Sequence, residues 1–313
     1  MKILLPDSLP LAPELPDDVE VVRYSTASPI PPEHRDAEAI VIWSLTSGWW
    51  RENAGLLPNL GLVQSLTAGV DAILAADFRP EALVASGVGL HDVTVAEHAL
   101  ALILAAARRL DVAVRAVGEH RWAAELADAQ PLDNATSFTL VHGARVVVWG
   151  FGSIGTRLAG LLRALGAHVV GVARTAGERE GFEVVTTDEL PRVLGDADVL
   201  VAVLPSTPET ANAIDADTLA LLPAKAWVVN VGRGATLDQA ALADALRAGR
   251  LAGAALDVVV PEPLPADDEL WDAPNLILTP HCAGGRPLGA DERIAENLRR
   301  WRAGEELVQQ VAR

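Results

Sequence analysis

The chain has 313 residues, with 25 basic and 42 acidic side chains and a formal charge of −17. Half of it is hydrophobic, which excludes a disordered chain, and the acidic balance argues against binding nucleic acid or an anionic membrane, since both need clustered positive charge. At roughly 150 residues per domain the length predicts about two domains, and the single cysteine, Cys282, allows no internal disulfide and fits a reducing compartment.

The N-terminal Met1-Lys2-Ile3-Leu4-Leu5 meets Pro6 and Asp7 too early for a signal peptide. Short apolar strands are then predicted at Ile3–Leu5, Val19–Tyr24, Ala39–Trp43, Leu62–Leu66 and Val88–Leu90. Strands alternating with helices imply a parallel sheet covered on both faces. Thr94 and Glu97 form a capping box that opens a long helix from Val95 to Val117, closed by Gly118. Its run from Ala99 to Ala107 falls short of the roughly 20 apolar residues a membrane span needs. The chain therefore reads as soluble and cytoplasmic. From Ala144 the alternation restarts: strands at Arg145–Trp149, His168–Ala173, Asp198–Leu204, Ala226–Val231, Ala252–Val258 and Leu276–Thr279, and helices at Ser153–Leu165 and Leu237–Ala248. An amphipathic helix from Ala290 to Arg302 is placed to return to the first domain.

Gly150-Phe151-Gly152-Ser153-Ile154-Gly155 is a G-x-G-x-x-G between a predicted strand and a predicted helix. In that context it signals a dinucleotide-binding turn: Gly150 for the turn, Gly152 for backbone approach to a pyrophosphate, Gly155 for close helix–strand packing. An empty glycine turn, or the similar loop of S-adenosylmethionine enzymes, is the alternative. An NAD site usually places an acid at the end of the next strand, for the ribose 2′-hydroxyl. Here Arg174 and Thr175 stand there. A guanidinium suits a 2′-phosphate, so NADP is favoured over NAD; a solvent-facing arginine is the simpler alternative.

Three later strand ends each carry one polar residue suited to anion or proton chemistry: Arg233 in Asn230-Val231-Gly232-Arg233-Gly234, Glu262 in the segment after Asp257, and His281 in Pro280-His281-Cys282-Ala283-Gly284. Arginine clamps a carboxylate through two parallel hydrogen bonds, histidine transfers a proton near neutral pH, and a neighbouring carboxylate orients it. Taken singly, each reads as structural: a hydrogen-bonded histidine, an arginine on a carbonyl, a glutamate in solvent. No H-E-x-x-H or Cys/His spacing is present, so no metal is expected.

With Gln64 to Asp71, Val95-Ala96-Glu97-His98, the glycine loop and Leu204-Pro205-Ser206-Thr207-Pro208-Glu209-Thr210, these motifs resemble, in order, the D-isomer-specific 2-hydroxyacid dehydrogenases, a family that includes glyoxylate/hydroxypyruvate reductases and phosphoglycerate dehydrogenases. The resemblance implies an α/β protein of two Rossmann-like domains with parallel sheets and the active site in the cleft between them. The substrate-binding, flavodoxin-like domain would take 1–93 and 286–313, and the dinucleotide-binding Rossmann domain 94–285. It implies Arg233 on the substrate carboxylate and keto oxygen, His281 as acid–base, Glu262 as its partner, and backbone N–H groups of Ala68, Gly69 and Val70 on the carboxylate. Cofactor contacts are implied at Gly150, Gly152, Ser153, Ile154, Gly155, Arg174, Thr175, Leu204, Pro205, Thr210, Val231, Gly232, Asp257, Ala283 and Gly284, and a homodimer built on the helix after Thr94. A small unphosphorylated 2-keto acid, glyoxylate or hydroxypyruvate, is the favoured substrate. The loop Ser44–Arg51, with Trp49, Trp50 and Arg51, is a possible cleft lining or simply core. The end at Arg313 comes early for the regulatory domain of many phosphoglycerate dehydrogenases. A phosphoglycerate dehydrogenase-like activity, a dinucleotide-sensing corepressor-like protein and a methyltransferase are the alternatives.

Overall fold

The computed structural model describes residues 1–43, 49 and 52–312. Its strands are β1 (Lys2–Pro6), β2 (Glu20–Tyr24), β3 (Ala39–Ile42), β4 (Leu62–Ser65), β5 (Leu83–Ala85), β6 (Arg145–Trp149), β7 (His168–Val172), β8 (Gly177–Arg179), β9 (Phe182–Val185), β10 (Val199–Ala202), β11 (Trp227–Asn230), β12 (Gly253–Leu256), β13 (Leu276–Leu278) and β14 (Gln310–Val311). The longer helices are α1 (Asp92–Ala107), α2 (Leu110–Gly118), α3 (Ser153–Ala164), α4 (Gln239–Arg247) and α5 (Ala290–Ala303). The chain divides into two compact units, one of Met1–His91 with Arg286–Arg313 and one of Asp92–Gly285.

The first unit is built on a sheet of order β14-β5-β4-β3-β1-β2. All its pairings are parallel except β14 on β5. Side chains alternate across a strand, and here both faces are apolar. Ile3, Leu5, Ala39, Val41 and Leu62 pack with Ala290, Ile294 and Leu298 of α5, while Leu4, Ile40, Ile42 and Val63 pack with Tyr24, Leu60, Ile73 and Phe78. Burial on both faces is what makes these strands nearly continuous apolar runs. Trp49 belongs to this second core: it is buried, stacks on Tyr24 at 5.1 Å and donates its indole N–H to the Ser28 carbonyl. The rest of the Ser44–Arg51 loop lies outside the described residues.

The second unit carries a sheet of order β13-β12-β11-β10-β6-β7-β9-β8, parallel except for β8 on β9. Val146, Val148, Val199, Val201 and Val229 pack with α1 and α3, and Val147, Leu200, Ala202, Val228 and Leu256 with Leu242 and Leu246 of α4. The strand order reverses at β6, between β7 and β10. In open α/β sheets such a reversal opens a crevice at the carboxyl ends of the strands, where ligands bind. No helix of the described residues is long and apolar enough to cross a membrane.

Four expectations are corrected. The fifth strand is Leu83–Ala85, not Val88–Leu90; those residues form a turn, with Gly89 at φ +94° and the Leu90 N–H on the Gly87 carbonyl. The single long helix is two, broken where Arg109 takes φ +48°. The Arg109 guanidinium bonds Asp111 and Asn275 and lies over Trp227, contacts that hold it in a conformation no local signal announces. The capping box at Thr94 does not form: α1 starts at Asp92, and the Thr94 hydroxyl donates to the Gly284 carbonyl at 2.7 Å. Finally, the β8–β9 hairpin went unread, although its two-residue turn, Glu180 (φ +52°) and Gly181 (φ +75°), carries a glycine where such turns favour one.

The return of α5 to the first unit is fastened by Asn297, which is fully buried. Its side chain donates to Gln64 and the Val308 carbonyl and accepts from the Val308 N–H. Asn297→Ala strands these buried groups and is expected to destabilise the first unit by about 1–3 kcal/mol, read as a lower midpoint in thermal or urea unfolding.

Candidate active site

Every polar group of the site in the second unit stands just beyond a strand end. After β6 the chain turns at Gly150 (φ +102°), where a Cβ would lie 2.3 Å from the Val203 carbonyl oxygen, so only glycine fits. A Cβ on Gly155 would approach the Gly150 oxygen to 2.6 Å, which sets how closely α3 packs on β6. Gly152 is different: a Cβ there would meet nothing within 4 Å. The fold's own packing therefore does not require that glycine, whereas an approaching phosphate would. The start of α3 carries no side-chain cap, so its first N–H groups and the positive end of its dipole are available to an anion.

These residues line a cavity of about 810 Å³. It gathers Gly150, Gly152, Ser153, Ile154, Arg174, Thr175, Leu204, Pro205 and Thr210 of the expected cofactor contacts. Gly155, Val231, Gly232, Asp257, Ala283 and Gly284 are not among its lining residues. Two further residues on its wall were missed by sequence reasoning. Arg179, on the unread strand β8, donates to the Phe151 carbonyl at 2.6 Å and the Thr175 carbonyl at 3.1 Å, fastening the loop beyond β7. The Glu209 carboxyl is held below its ordinary value by its hydrogen bond with Thr207, with a further contribution from the nearby charge of Arg174.

Arg233 follows β11 in an extended backbone. Its flanking glycines are obligatory, because a Cβ on Gly232 would lie 2.6 Å from Leu204 backbone atoms and one on Gly234 2.3 Å from the Val259 oxygen. Two fully buried residues hold the turn: the Asn230 carboxamide accepts from the Gly232 N–H and donates to the Arg233 carbonyl, which also accepts from the Thr236 hydroxyl at 2.7 Å. Neither was singled out from sequence, though the unbroken burial of β11 makes a polar Asn230 at its end a legible signal. The guanidinium donates to the Gly232 carbonyl at 2.8 Å.

His281 and Glu262 meet directly, with Nδ1 2.6 Å from Oε2. Partial burial pushes the Glu262 carboxyl up, but the hydrogen bond and charge of His281, the Val259 N–H and the Arg233 guanidinium outweigh it, and the net displacement is downward. The same balance places Arg233 within electrostatic reach of the pair. His281 takes φ +50°, uncommon for a residue with a Cβ. Its N–H is anchored on the Asp257 and Thr279 carbonyls.

Asp257 is 2% exposed. Its Oδ1 accepts from the Thr279 hydroxyl at 2.6 Å and the Cys282 N–H at 2.9 Å, and its Oδ2 from the Ala283 N–H at 2.9 Å. Partial burial and then the Asp257 carboxylate push the Cys282 thiol up, which disfavours the reactive thiolate. Among the described residues, His98, Asp257 and Cys282 offer ligand atoms within 4.8 Å of one another. Spacing rules do not reveal this trio, because it comes from three separate elements.

In the first unit, Ala68, Gly69 and Val70 follow β4. The Thr67 hydroxyl donates to the Gly69 carbonyl at 2.8 Å, and the three N–H groups have no acceptor among the described residues.

Residues 100–283 match the model of the D-isomer specific 2-hydroxyacid dehydrogenase NAD-binding domain, more than half of the chain. Glyoxylate/hydroxypyruvate reductase A of Salmonella paratyphi B is 34% identical over 267 residues, 82% of this chain and 81% of that protein. D-3-phosphoglycerate dehydrogenase of Mycobacterium tuberculosis is 34% identical over 272 residues, 78% of this chain; the match takes in only 49% of that longer protein. A D-isomer specific 2-hydroxyacid dehydrogenase from Xanthobacter autotrophicus Py2, solved with NADPH and MES, superposes with a TM-score of 0.78 at 32% identity, covering 99% of this chain and 98% of that one. The chain belongs to the D-isomer specific 2-hydroxyacid dehydrogenases, a family of NAD(P)-dependent oxidoreductases with two Rossmann-like domains.

Proposed function

We propose that the protein reduces a small unphosphorylated 2-keto acid, glyoxylate or hydroxypyruvate, to the D-2-hydroxy acid, with NADPH preferred over NADH. The observation that carries this reading is the His281–Glu262 pair at 2.6 Å, with the Arg233 charge acting on the same carboxyl. The substrate class is supported by the reductase relative, which matches over most of both chains. A phosphoglycerate dehydrogenase-like activity, supported by the relatives of that name, is the second reading. In the same proposal 94–285 is the dinucleotide-binding domain, and 1–93 with 286–313 binds substrate.

The coenzyme fits the glycine loop on two counts: the Cβ space at Gly152 that no protein atom fills, and the uncapped start of α3 for its pyrophosphate. Its nicotinamide supplies the hydride. Arg233 clamps the substrate carboxylate with paired N–H donors and faces the charge that grows on the keto oxygen. His281, with Nδ1 held by Glu262, offers the proton on Nε2 to that oxygen and takes it back in the reverse direction. Glu262, ionised, stabilises the imidazolium. The N–H groups of Ala68, Gly69 and Val70 take the substrate carboxylate. Leu204, Pro205, Thr210, Val231, Gly232, Ala283 and Gly284 supply coenzyme contacts.

A homodimer is part of the proposal. Val114 and Val117 on α2, with Trp122 and Leu132 beyond it, are 71–95% exposed, and an exposed apolar patch marks an interaction surface. Light scattering is expected to give twice the chain mass of 32.9 kDa, and V114D/V117D to shift the mass toward one chain.

His281→Ala is expected to lose about 10²–10⁴-fold in kcat while still binding coenzyme; near-normal turnover removes the assignment. The Glu262 carboxyl lies below its ordinary value of 4.5. A carboxyl lowered on folding stabilises the fold above its unfolded value and loses that contribution as pH falls through the folded one. Glu262 thus stays charged through neutral and mildly acidic pH. E262Q is expected to remove that contribution, so that Tm falls less steeply with acid than in wild type as pH drops below 4.5, read in thermal unfolding against pH. For the coenzyme, R174A is expected to cost about 10–100-fold in kcat/KM with NADPH, the worth of a charge-assisted hydrogen bond, and little with NADH. A wild-type preference for NADH overturns the NADP reading.

A further inference from the structure

His98 lies on α1 and has no part in the chemistry above. Yet its Nε2 is 3.0 Å from the Thr279 hydroxyl and 3.3 Å from Asp257 Oδ1, with its side chain only 21% exposed. The direction of these bonds follows from donor counting. A carboxylate only accepts, so the Thr279 proton points to Asp257 Oδ1, 2.6 Å away. The Thr279 oxygen then turns a lone pair toward His98, and Nε2 must carry a hydrogen. Asp257 Oδ1 in addition accepts from the Cys282 N–H, so that His98, Thr279, Asp257 and Cys282 are joined in one run of hydrogen bonds.

We propose that His98 is a positioning residue for His281. Resting on the dehydrogenase reading, it acts from α1 through Thr279 and Asp257 on the segment 279–283. That segment is suspended from Asp257 by four bonds: the carboxylate takes Thr279, Cys282 and Ala283, and the main-chain carbonyl takes the His281 N–H at 2.8 Å. His281, between these anchors, is held at φ +50°, where the backbone would relax if released. Thr94 of the same helix adds a second tie, to the Gly284 carbonyl. α1 is thus a rigid rail along which the acid–base segment is pinned at both ends. Loss of the His98 hydrogen bond frees Thr279 and Asp257 to change rotamer, and the imidazole loses its aim at the keto oxygen while the glycine loop after β6, which shares none of these bonds, keeps its place.

The test uses the full-length chain and compares H98L with H98Q, whose side-chain amide nitrogen can donate to Thr279 from a similar place. The readouts are kcat, KM for glyoxylate and hydroxypyruvate, NADPH affinity by fluorescence, and the His281 ring resonance by NMR, assigned with the H281A variant. H98L is expected to lower kcat by about 10–100-fold, the cost of misplacing a reacting group by an ångström, with a displaced His281 resonance and any loss of NADPH affinity smaller than the loss in kcat. H98Q is expected to restore kcat and the resonance. A second pair, T279V against T279S, removes and keeps the bridging hydroxyl and serves if H98L does not fold. Unchanged kcat and resonance in the folded H98L and T279V variants overturn the proposal, as does equal damage in H98L and H98Q. A wild type that turns over no keto acid refutes the dehydrogenase reading instead, and the His281 resonance in the same variants then still reports whether His98 holds that ring.

Discussion

The buried carboxylate of Asp257 is the constraint on which the placement of His281 depends. A charge out of water is stable only when its lone pairs are filled, and here the donors that fill them come from the segment carrying His281. That segment continues β13 only as far as the Thr279 N–H on the Leu256 carbonyl and is irregular beyond it, where its donors are held because the carboxylate needs them. Asp257 takes its own backbone position from the sheet, its N–H bonding the Asn230 carbonyl at the end of the neighbouring strand. The placement of the imidazole is thus inherited from the register of β11, β12 and β13 through one side chain. The anchoring also accounts for the strained backbone at His281: several bonds act on a short segment, and a single unfavourable φ is a small cost beside leaving a buried carboxylate unpaired.

Arg233 and the glycine loop obey a second constraint, close backbone approach. The loops after β6 and β11 both press on the same two residues beyond β10, Val203 and Leu204, at distances that exclude a Cβ on Gly150 and Gly232. Gly234 does the same against Val259. Three strand ends are thereby drawn together at the point where the strand order reverses, the position at which an α/β sheet opens to a ligand. Glycines that look alike in sequence have different reasons. Gly150, Gly155, Gly232 and Gly234 are required by the protein's own packing, whereas Gly152 has space around it and its small size makes sense only toward a bound group.

The strands of both units were legible because burial on two faces demands apolar runs, which β3 and β10 have throughout and β1, β6 and β11 over three or more consecutive residues. The failures share a cause. Val88–Leu90 has apolar ends, but Gly87 before it and Gly89 inside it at a positive φ make it a turn, and the edge strand falls a few residues earlier. The run from Val95 to Val117 holds neither Gly nor Pro, so nothing local marks the break at Arg109; the decision rests with Asn275 and Trp227, far along the chain. Thr94 and Glu97 have the spacing of a cap, yet the hydroxyl has a better-placed acceptor in Gly284. Local rules weigh neighbours within a few residues, and tertiary partners overrule them wherever they offer a stronger hydrogen bond.

Residue identity and order alone determined the alternation of strands and helices, the dinucleotide turn, and the three polar residues Arg233, Glu262 and His281, because glycine, arginine and histidine at strand ends have few other uses in combination. Only the tertiary structure decided that His281 meets Glu262 at hydrogen-bond distance, that Asn230 and Thr236 hold the arginine turn, that Arg179 fastens the Phe151 and Thr175 carbonyls, and that His98 and Asp257 tie the segment carrying His281 to α1. Apart from the local bonds of the arginine turn and of Arg179 with Thr175, these contacts join positions from 19 to 181 residues apart. Their existence depends on sheet register and side-chain reach, quantities that periodicity and motif spacing do not encode.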